Sequence, residues 1–299
     1  MVENEYLVVR NKMITKANEL IQKSRFSLSL QQQKIVLYLI SQISPFDEDF
    51  KLYNFSISEF CRVCGITEKS GQNYKELKAA VKEIADKSVW VRLENGKDTL
   101  LRWIEKPYID EGNGDIQIRL DMDMKPFLLQ LKSNFTSYEL IWTLHFKSKY
   151  TIRLYELVKS IHFHDLTEYT KRYTVDELKT LLGGESYKEY RDFKRRALQA
   201  SIEEINQFSD KNISMREIRK GRKVLGIELT VSSKDSLEAG RIRSEIEKEL
   251  GIPEGQITFW DRYQRIENVS KSDVLERFVD NTARQKEQKS VSQPDQQAI

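Results

Sequence analysis

The sequence predicts a helix-rich α+β fold in which one supersecondary unit occurs twice, and three observations lead to this prediction. An amphipathic helical run at residues 35–43 is matched by a run with the same apolar pattern at residues 152–161. A second matched pair follows, FSISEF from Phe55 and YTVDEL from Tyr173, at an offset of 118 residues, which also separates the last residues of the two helical runs. Each copy then continues with a further helical run and two β-rich segments that flank a glycine-containing turn.

A capping motif marks the start of the second helix in each copy. The spacing Ser/Thr-x-x-Glu lets a hydroxyl and a carboxylate satisfy the free backbone N–H groups at a helix start. The motif is formed by Ser56 with Glu59 in the first copy and by Thr174 with Glu177 in the second. A short strand precedes it in both copies, so each unit begins with a helix, a strand and a helix.

The third helix and a hairpin complete the unit. In the second copy, Ser186 and Glu189 repeat the capping spacing and predict a helix over residues 187–208. Asn95-Gly96 in the first copy and Gly221 in the second are turn signals between two strands. A helix-turn-helix followed by a β-hairpin is the winged-helix plan. The sequence therefore predicts two tandem winged-helix domains related by internal duplication.

Four regions follow from this pattern. We expect an N-terminal winged-helix domain over residues 1–131 and a C-terminal one, the main DNA-reading domain, over residues 132–233. Between the two units, DIQIRL and PFLLQL predict an added strand and a short helix. Residues 234–283 predict a helical extension, and residues 284–299 are Gln-rich without an apolar face, which predicts a disordered tail.

The composition excludes several classes of protein. The chain has 299 residues, and 49 basic against 46 acidic residues give a net charge of +3. No apolar run approaches the ~18 residues of a membrane span, and the N-terminus lacks a secretory signal pattern. Two cysteines rule out a disulfide scaffold. We therefore expect a cytoplasmic protein that makes no membrane contact.

The positive charge is concentrated in the second copy, on the two elements of a winged helix that face DNA. Residues 187–196 hold five basic and two acidic residues, and residues 211–223 hold six basic residues against Glu217 alone. Helix cations reach base edges, and hairpin cations bind phosphates. The groove candidates are Lys188, Arg191, Lys194 and Arg195, with Arg195 first and Arg196 beside them. The hairpin candidates are Arg219, Lys220, Arg222 and Lys223.

The third helix of the first copy is less basic. Its three lysines, Lys75, Lys78 and Lys82, form one stripe. The acidic residues Glu83 and Asp86 partly offset the positive charge of this stripe. This stripe is either a second DNA contact, mainly to phosphates, or an ordinary exposed face. The repeat favours the DNA contact.

The sequence resembles the plasmid replication initiators that bind iterons, the short direct repeats of a plasmid origin. The resembling stretches span most of residues 12–232: NELIQKSRFSLSLQQQKIVLYLISQI from Asn18, FSISEF from Phe55, YKELKAAVKEIADKSVWV from Tyr74, YTIRLYELVKSI from Tyr150 and YRDFKRRALQASIEEIN from Tyr190. The resemblance implies that two winged-helix domains bind one iteron and that the second supplies the main major-groove helix.

The resemblance also implies partners and regulation. Such proteins initiate replication as monomers on the iterons, repress their own promoter as dimers and so control copy number. They recruit the host replication initiator and the replicative helicase. The segment after Ser232 lies outside the resemblance.

Two alternative functions remain open. His162-Phe163-His164, with Tyr190 and Lys194, matches the pattern of a rolling-circle nuclease, although the histidine pair follows a helix rather than lying on a strand. A transcriptional regulator with tandem winged helices would carry the same basic helix and hairpin. Direct repeats upstream of the gene favour the initiator, and a lone palindromic operator favours the regulator.

Other motifs predict neither a cofactor nor a catalytic activity. Cys61 and Cys64 have the C-x-x-C spacing without further zinc ligands, and Asp121 with Asp123 is expected to be a solvated strand end. No glycine-rich phosphate loop is present. We expect the four tryptophans to be buried anchors in the core or between domains: Trp90, Trp103, Trp142 and Trp260.

Overall fold

The computed structural model describes residues 12–44, 47–56, 72–93, 95–110, 114–161 and 167–249, with the backbone alone for residues 72–74. Described elements of the first copy are β1 (Met13–Ala17), α1 (Asn18–Gln22), β2 (Ser24–Arg25), α2 (Leu30–Ile40), β3 (Tyr53–Ser56), α3 (Gln72–Asp86), β4 (Ser88–Arg92), β5 (Asp98–Arg102), β6 (Tyr108–Asp110), β7 (Asp115–Ile118) and α4 (Lys125–Leu128). A 3₁₀ turn, Met122–Met124, precedes α4.

The elements after the predicted boundary at residue 132, which the sequence assigns to the second copy and its extension, begin with β8 (Phe135–Glu139) and α5 (Ile141–Leu144). They continue with α6 (Lys149–Ile161), β9 (Glu168–Thr174), α7 (Val175–Leu182), α8 (Tyr190–Phe193), a π-helical segment (Lys194–Gln199), α9 (Ala200–Phe208), β10 (Lys211–Lys220), β11 (Lys223–Ser233) and α10 (Ser236–Glu249). We call the continuous helix over residues 190–208 the recognition helix. The described elements of both copies follow the predicted order, and the predicted α+β class is confirmed.

Local sequence signals account for the second copy. Thr174 and Glu177 form the predicted capping box, because the Thr174 hydroxyl accepts from the Glu177 backbone N–H at 3.1 Å and Glu177 Oε2 accepts from the Thr174 N–H at 2.7 Å. The counterpart Ser56–Glu59, and the second helix that it predicts, lie outside the described residues. Strands β10, β11 and β9 form one antiparallel sheet in the order β10-β11-β9.

The sheets of the first copy are arranged differently from that of the second. In the second copy the early strand β9 joins the hairpin sheet. In the first copy the equivalent strand β3 pairs with β7 in the separate sheet β3-β7-β6, and the hairpin β4–β5 pairs with β2. The strand predicted from DIQIRL thus replaces the hairpin as the partner of β3.

Tryptophan burial follows strand alternation. Trp103 and Trp142 are buried as predicted, whereas the prediction for Trp90 is wrong, since its side chain is 51% exposed. Val89 and Val91 point into the core from β4, so the residue between them faces the other side of the strand, opposite Leu100. Trp260 lies outside the described residues.

Helix α6 lies at the centre of the described structure. It packs against α1, α2, β8, α7, α9 and the π-helical segment. Its buried residues include the charged Arg153 and Glu156 as well as apolar side chains. One continuous apolar core therefore runs through both copies.

The predicted helical extension after β11 begins with α10. Ile242 and Ile246 of this helix are buried, and α10 packs against α5 and α9. Arg243 donates to Glu139 Oε1 at 2.9 Å. No helix within the described part of the chain has the length and apolar character needed to cross a bilayer.

Candidate nucleic-acid interface

The turn before the recognition helix is packed against that helix. A Cβ added at Gly184 would lie 2.7 Å from the Phe193 ring, so only glycine allows the turn to approach so closely. Lys179 of α7 donates its ammonium to the carbonyl of Tyr187 at 2.7 Å. The Tyr187 ring lies 6.1 Å from the Phe193 ring. These contacts fix the turn of the helix-turn-helix.

The start of the recognition helix differs from the prediction. The recognition helix begins at Tyr190 rather than near Tyr187, and its N-cap is Glu189, without a side-chain capping bond. The capping box predicted from Ser186 and Glu189 is therefore wrong. Lys188 is exposed, but it lies in the turn before the helix, where its carbonyl faces Lys179 at 3.4 Å.

The recognition helix departs from α-helical geometry where its cations are concentrated. Residues Lys194–Gln199 are π-helical, with hydrogen bonds from residue i to i+5. Phe193 and Leu198, five residues apart, are both buried, which suits the wider turn. Arg195 and Arg196 are both exposed, and so is Arg191 one turn earlier. An α-helical projection at ~100° per residue therefore does not give the directions in which these cations point.

Glu217 of β10 joins the recognition helix to the hairpin. Its Oε1 accepts from the Tyr190 hydroxyl at 2.9 Å and from Lys194 Nζ at 2.8 Å. Its Oε2 accepts from the Arg219 guanidinium. The Glu217 side chain is 12% exposed, whereas that of Arg219 is 55% exposed. We call these four residues the Glu217 cluster.

Protonation states in the Glu217 cluster follow from these bonds. Hydrogen bonds from Lys194, then from Arg219 and Tyr190, lower the pKa of Glu217 to about 2 although partial burial opposes them. Burial and the bond to Glu217 raise the pKa of Tyr190 well above its ordinary value. At neutral pH Glu217 is therefore a carboxylate and Tyr190 a neutral phenol.

The hairpin tip extends beyond the three-stranded sheet. The last pairing of β9 with β11 is Thr174 with Gly226, and β10 and β11 continue to Lys220 opposite Lys223. Gly221 at the tip has a φ of 61°, a left-handed conformation that favours glycine in a two-residue turn. Lys220, Arg222 and Lys223 are all exposed there. Of the four predicted hairpin cations, Arg219 alone forms an ion pair among the described residues.

A row of charges crosses the opposite face of the same sheet. Glu228 accepts from Arg172 at 2.6 Å and from Arg216 at 2.6 Å, and both arginine side chains are about 70% exposed. Because strand residues alternate between faces, this row points away from the apolar side formed by Ile227 and Leu229. It lies outside the Glu217 cluster.

The first copy presents its predicted stripe. Lys75, Lys78 and Lys82 are exposed on α3, whose other side buries the apolar residues Leu77, Ala80, Val81 and Ile84. Lys82 forms an exposed ion pair with Asp86 at 2.7 Å.

Sequence reasoning missed the roles of Glu217 and Tyr190. Glu217 had one sequence signal, since it is the lone acidic residue among six basic ones at residues 211–223. Its contact with a helix 23 residues earlier depends on how the hairpin folds back, which spacing does not reveal.

The other motifs carry no metal chemistry where they are described. Asp121 caps the 3₁₀ turn by accepting from the Asp123 backbone N–H at 3.0 Å. Within the described ranges, no group of three or more His, Cys, Asp or Glu side chains could hold a metal ion. His162, His164, Cys61 and Cys64 lie outside those ranges.

Comparison with known proteins finds two family models that match successive parts of the chain. A family model described as "Initiator Replication protein, WH1" matches residues 13–159, and one described as "Initiator Rep protein, WH2" matches residues 174–231. A crystal structure described as Pi initiator protein in complex with iteron DNA is similar in fold, with a TM-score of 0.63. The two sequences are 17% identical, and the match covers 76% of this chain and 99% of that one.

Proposed function

Since this chain belongs to the initiator replication protein family, we propose that it initiates plasmid replication by binding repeated double-stranded DNA sites, iterons, at the origin. The observation that carries the proposal is the arrangement of cations in the second copy. Arg191, Arg195 and Arg196 project from the recognition helix, and the exposed hairpin tip adds Lys220 and Arg222. A helix fits the ~12 Å major groove while a basic hairpin binds the flanking phosphates.

We assign to the individual residues the roles that their positions support. The helix cations, Arg195 first, contact base edges, and Lys194 does so from within the Glu217 cluster. Lys188 binds near the start of the helix. Arg219, Lys220, Arg222 and Lys223 contact phosphates from the hairpin. The stripe of Lys75, Lys78 and Lys82 supplies a second contact to the same site, mainly to phosphates.

Bound copies strain an adjacent A·T-rich segment and present surfaces to the host initiator and the replicative helicase. A dimer of the same chain represses the chain's own promoter and limits copy number. The protein acts in the cytoplasm without a cofactor, and it contributes binding energy rather than a catalytic step.

The rolling-circle nuclease is the weaker alternative. Its tyrosine nucleophile would be Tyr190, whose hydroxyl donates to Glu217 and whose pKa is raised. A raised pKa disfavours the phenolate that would attack a phosphate. Incubation with supercoiled origin DNA and Mg²⁺ or Mn²⁺ tests this directly, because a nuclease leaves a nicked circle and a Tyr190-linked DNA adduct.

The proposal is tested by footprinting the full chain on the DNA upstream of its gene. An initiator protects several short direct repeats about two helical turns apart. A tandem winged-helix transcriptional regulator protects a single palindromic operator, and that result would contradict the proposal.

A further inference from the structure

Arg153 of α6 forms hydrogen bonds to both copies. Its Nε and Nη2 atoms donate to the carbonyl of Leu181 in α7, at 3.0 and 2.7 Å. Nη2 also donates to the carbonyl of Ser24 in β2 at 3.3 Å. The guanidinium carbon lies 4.2 Å from the centre of the Phe26 ring. One side chain therefore holds a helix of the second copy and a strand of the first.

Each end of this bridge lies next to an element that carries a proposed DNA contact. Leu181 lies in the last turn of α7, the helix that precedes the recognition helix. Ser24 pairs with Val91 of β4, the strand that directly follows α3 and its lysine stripe. Phe26 packs edge-on against the buried Trp103, with ring centres 4.9 Å apart. Movement at the bridge would therefore shift the recognition helix relative to the first copy.

The chemistry of the bridge favours a geometric role. Arg153 is buried, and burying a guanidinium against backbone carbonyls is costly compared with an apolar side chain. A planar fork of donors fixes distance and angle in a way that a lysine ammonium cannot. The neighbouring Glu156 is already engaged by Lys16 at 2.5 Å and by the Tyr138 hydroxyl at 2.6 Å.

We propose that Arg153 is a positioning residue that sets the spacing between the DNA contacts of the two copies. The inference rests on the proposed function, because it requires both copies to contact one DNA site. The chain then reads the distance between two half-sites as well as their base sequence. One inserted base pair moves the half-sites apart by ~3.4 Å and rotates them by roughly 35°.

The test measures how well each protein tolerates altered spacing. The probe is the 30-base-pair duplex that the full wild-type chain selects from a randomised library, with its two halves located by footprinting. A second duplex carries one inserted base pair between the halves. We expect the insertion to weaken wild-type binding at least tenfold. In Arg153→Met and Arg153→Lys it should weaken binding less than threefold, while binding to a duplex carrying only the second-copy half stays within twofold of wild type.

Arg172→Met is the matched control, because Arg172 forms its ion pair within the second copy and on the opposite face of the sheet. It should keep the wild-type sensitivity to the insertion. If Arg153→Met fails to bind the half-site duplex, Arg153→Lys carries the test. The inference would be overturned if a folded Arg153 variant lost as much affinity on insertion of the base pair as the wild type does. It would also be overturned if the insertion did not weaken wild-type binding. A wild-type chain that selects no duplex would instead contradict the proposed function.

Discussion

Glu217 holds the two cations of the Glu217 cluster, Lys194 and Arg219, by ion pairs. Its folded-state pKa of about 2 lies below the ordinary 4.5. A carboxyl with a lowered pKa contributes stability that is fully present above its unfolded value and is lost as the pH falls toward the folded value. The Glu217 cluster is therefore intact throughout the physiological range and is lost only between about pH 4.5 and 2. Its effect on DNA binding at neutral pH must be tested by substitution.

We expect Glu217→Gln to weaken sequence discrimination while strengthening binding to random DNA. The substitution removes one negative charge from a basic surface and releases Lys194 from the position that the carboxylate gives it. Titrations of a selected and a random duplex at two salt concentrations measure both effects. Glu228→Gln is the matched control, since Glu228 also joins two basic side chains but on the other face of the sheet. Equal behaviour of the two variants would contradict the role given to Glu217.

Arg195→Ala and Lys220→Ala should affect DNA binding in different ways. Arg195 projects from the recognition helix with a 68% exposed side chain, so its loss should cost roughly 1–3 kcal/mol and relax specificity at one base position. Lys220 lies at the hairpin tip, so its loss should weaken all sequences alike and reduce the salt slope by about one unit. Binding to a set of single-base variants of the selected duplex separates the two patterns. Identical profiles would show that the groove and phosphate assignments are wrong.

At the level of elements, the π-helical segment determines which cations face outward. The sequence predicted a helix here correctly, but an α-helical projection could not show the register change between Lys194 and Gln199. A π turn takes an additional residue, and the apolar positions Phe193 and Leu198 accommodate it by lying five apart. The apolar positions here are four and five residues apart. A helical face can have these separations in α- or π-helical geometry, so the pattern alone did not distinguish the two geometries.

Deletion of Arg196 tests the π segment. The deletion places Phe193 and Leu198 four residues apart, the α-helical spacing, so the helix should still fold against its core. It should nevertheless rotate Arg195 and Lys194 relative to the residues that follow. We expect a loss of specific DNA affinity at least tenfold greater than that of Arg196→Ala, which removes the same charge and keeps the register. Titration with the selected duplex, alongside circular dichroism to confirm the helix, makes the comparison. Similar losses in both proteins would show that the register is unimportant.

At the level of the whole molecule, the sequence predicted what is local and missed what is long-range. The repeat, the Thr174 capping box and the turn at Gly221 could be recognised because spacing and turn chemistry are written in neighbouring residues. The pairing of β3 with β7 could not be recognised, because the residue pattern of a strand does not specify which strand it pairs with. The Glu217 cluster and the Arg153 bridge likewise join residues that are distant in the chain. The net charge of +3 does not reveal where the basic residues are concentrated, because acidic residues elsewhere in the chain balance those at residues 187–196 and 211–223.

Helix α10 lies beyond the residues matched by the family models, which end at residue 231, yet it completes the same core. Ile246 is 1% exposed, whereas Leu237 of the same helix is 86% exposed. Ile246→Ala should therefore lower the free energy of unfolding by about 2–5 kcal/mol, and Leu237→Ala should change it by less than about 0.5 kcal/mol. Urea unfolding followed by circular dichroism and by tryptophan fluorescence measures both. Coincident single transitions would show that α10 unfolds with the rest of the core. An early separate transition would show that it does not, and so would an Ile246→Ala effect as small as that of Leu237→Ala.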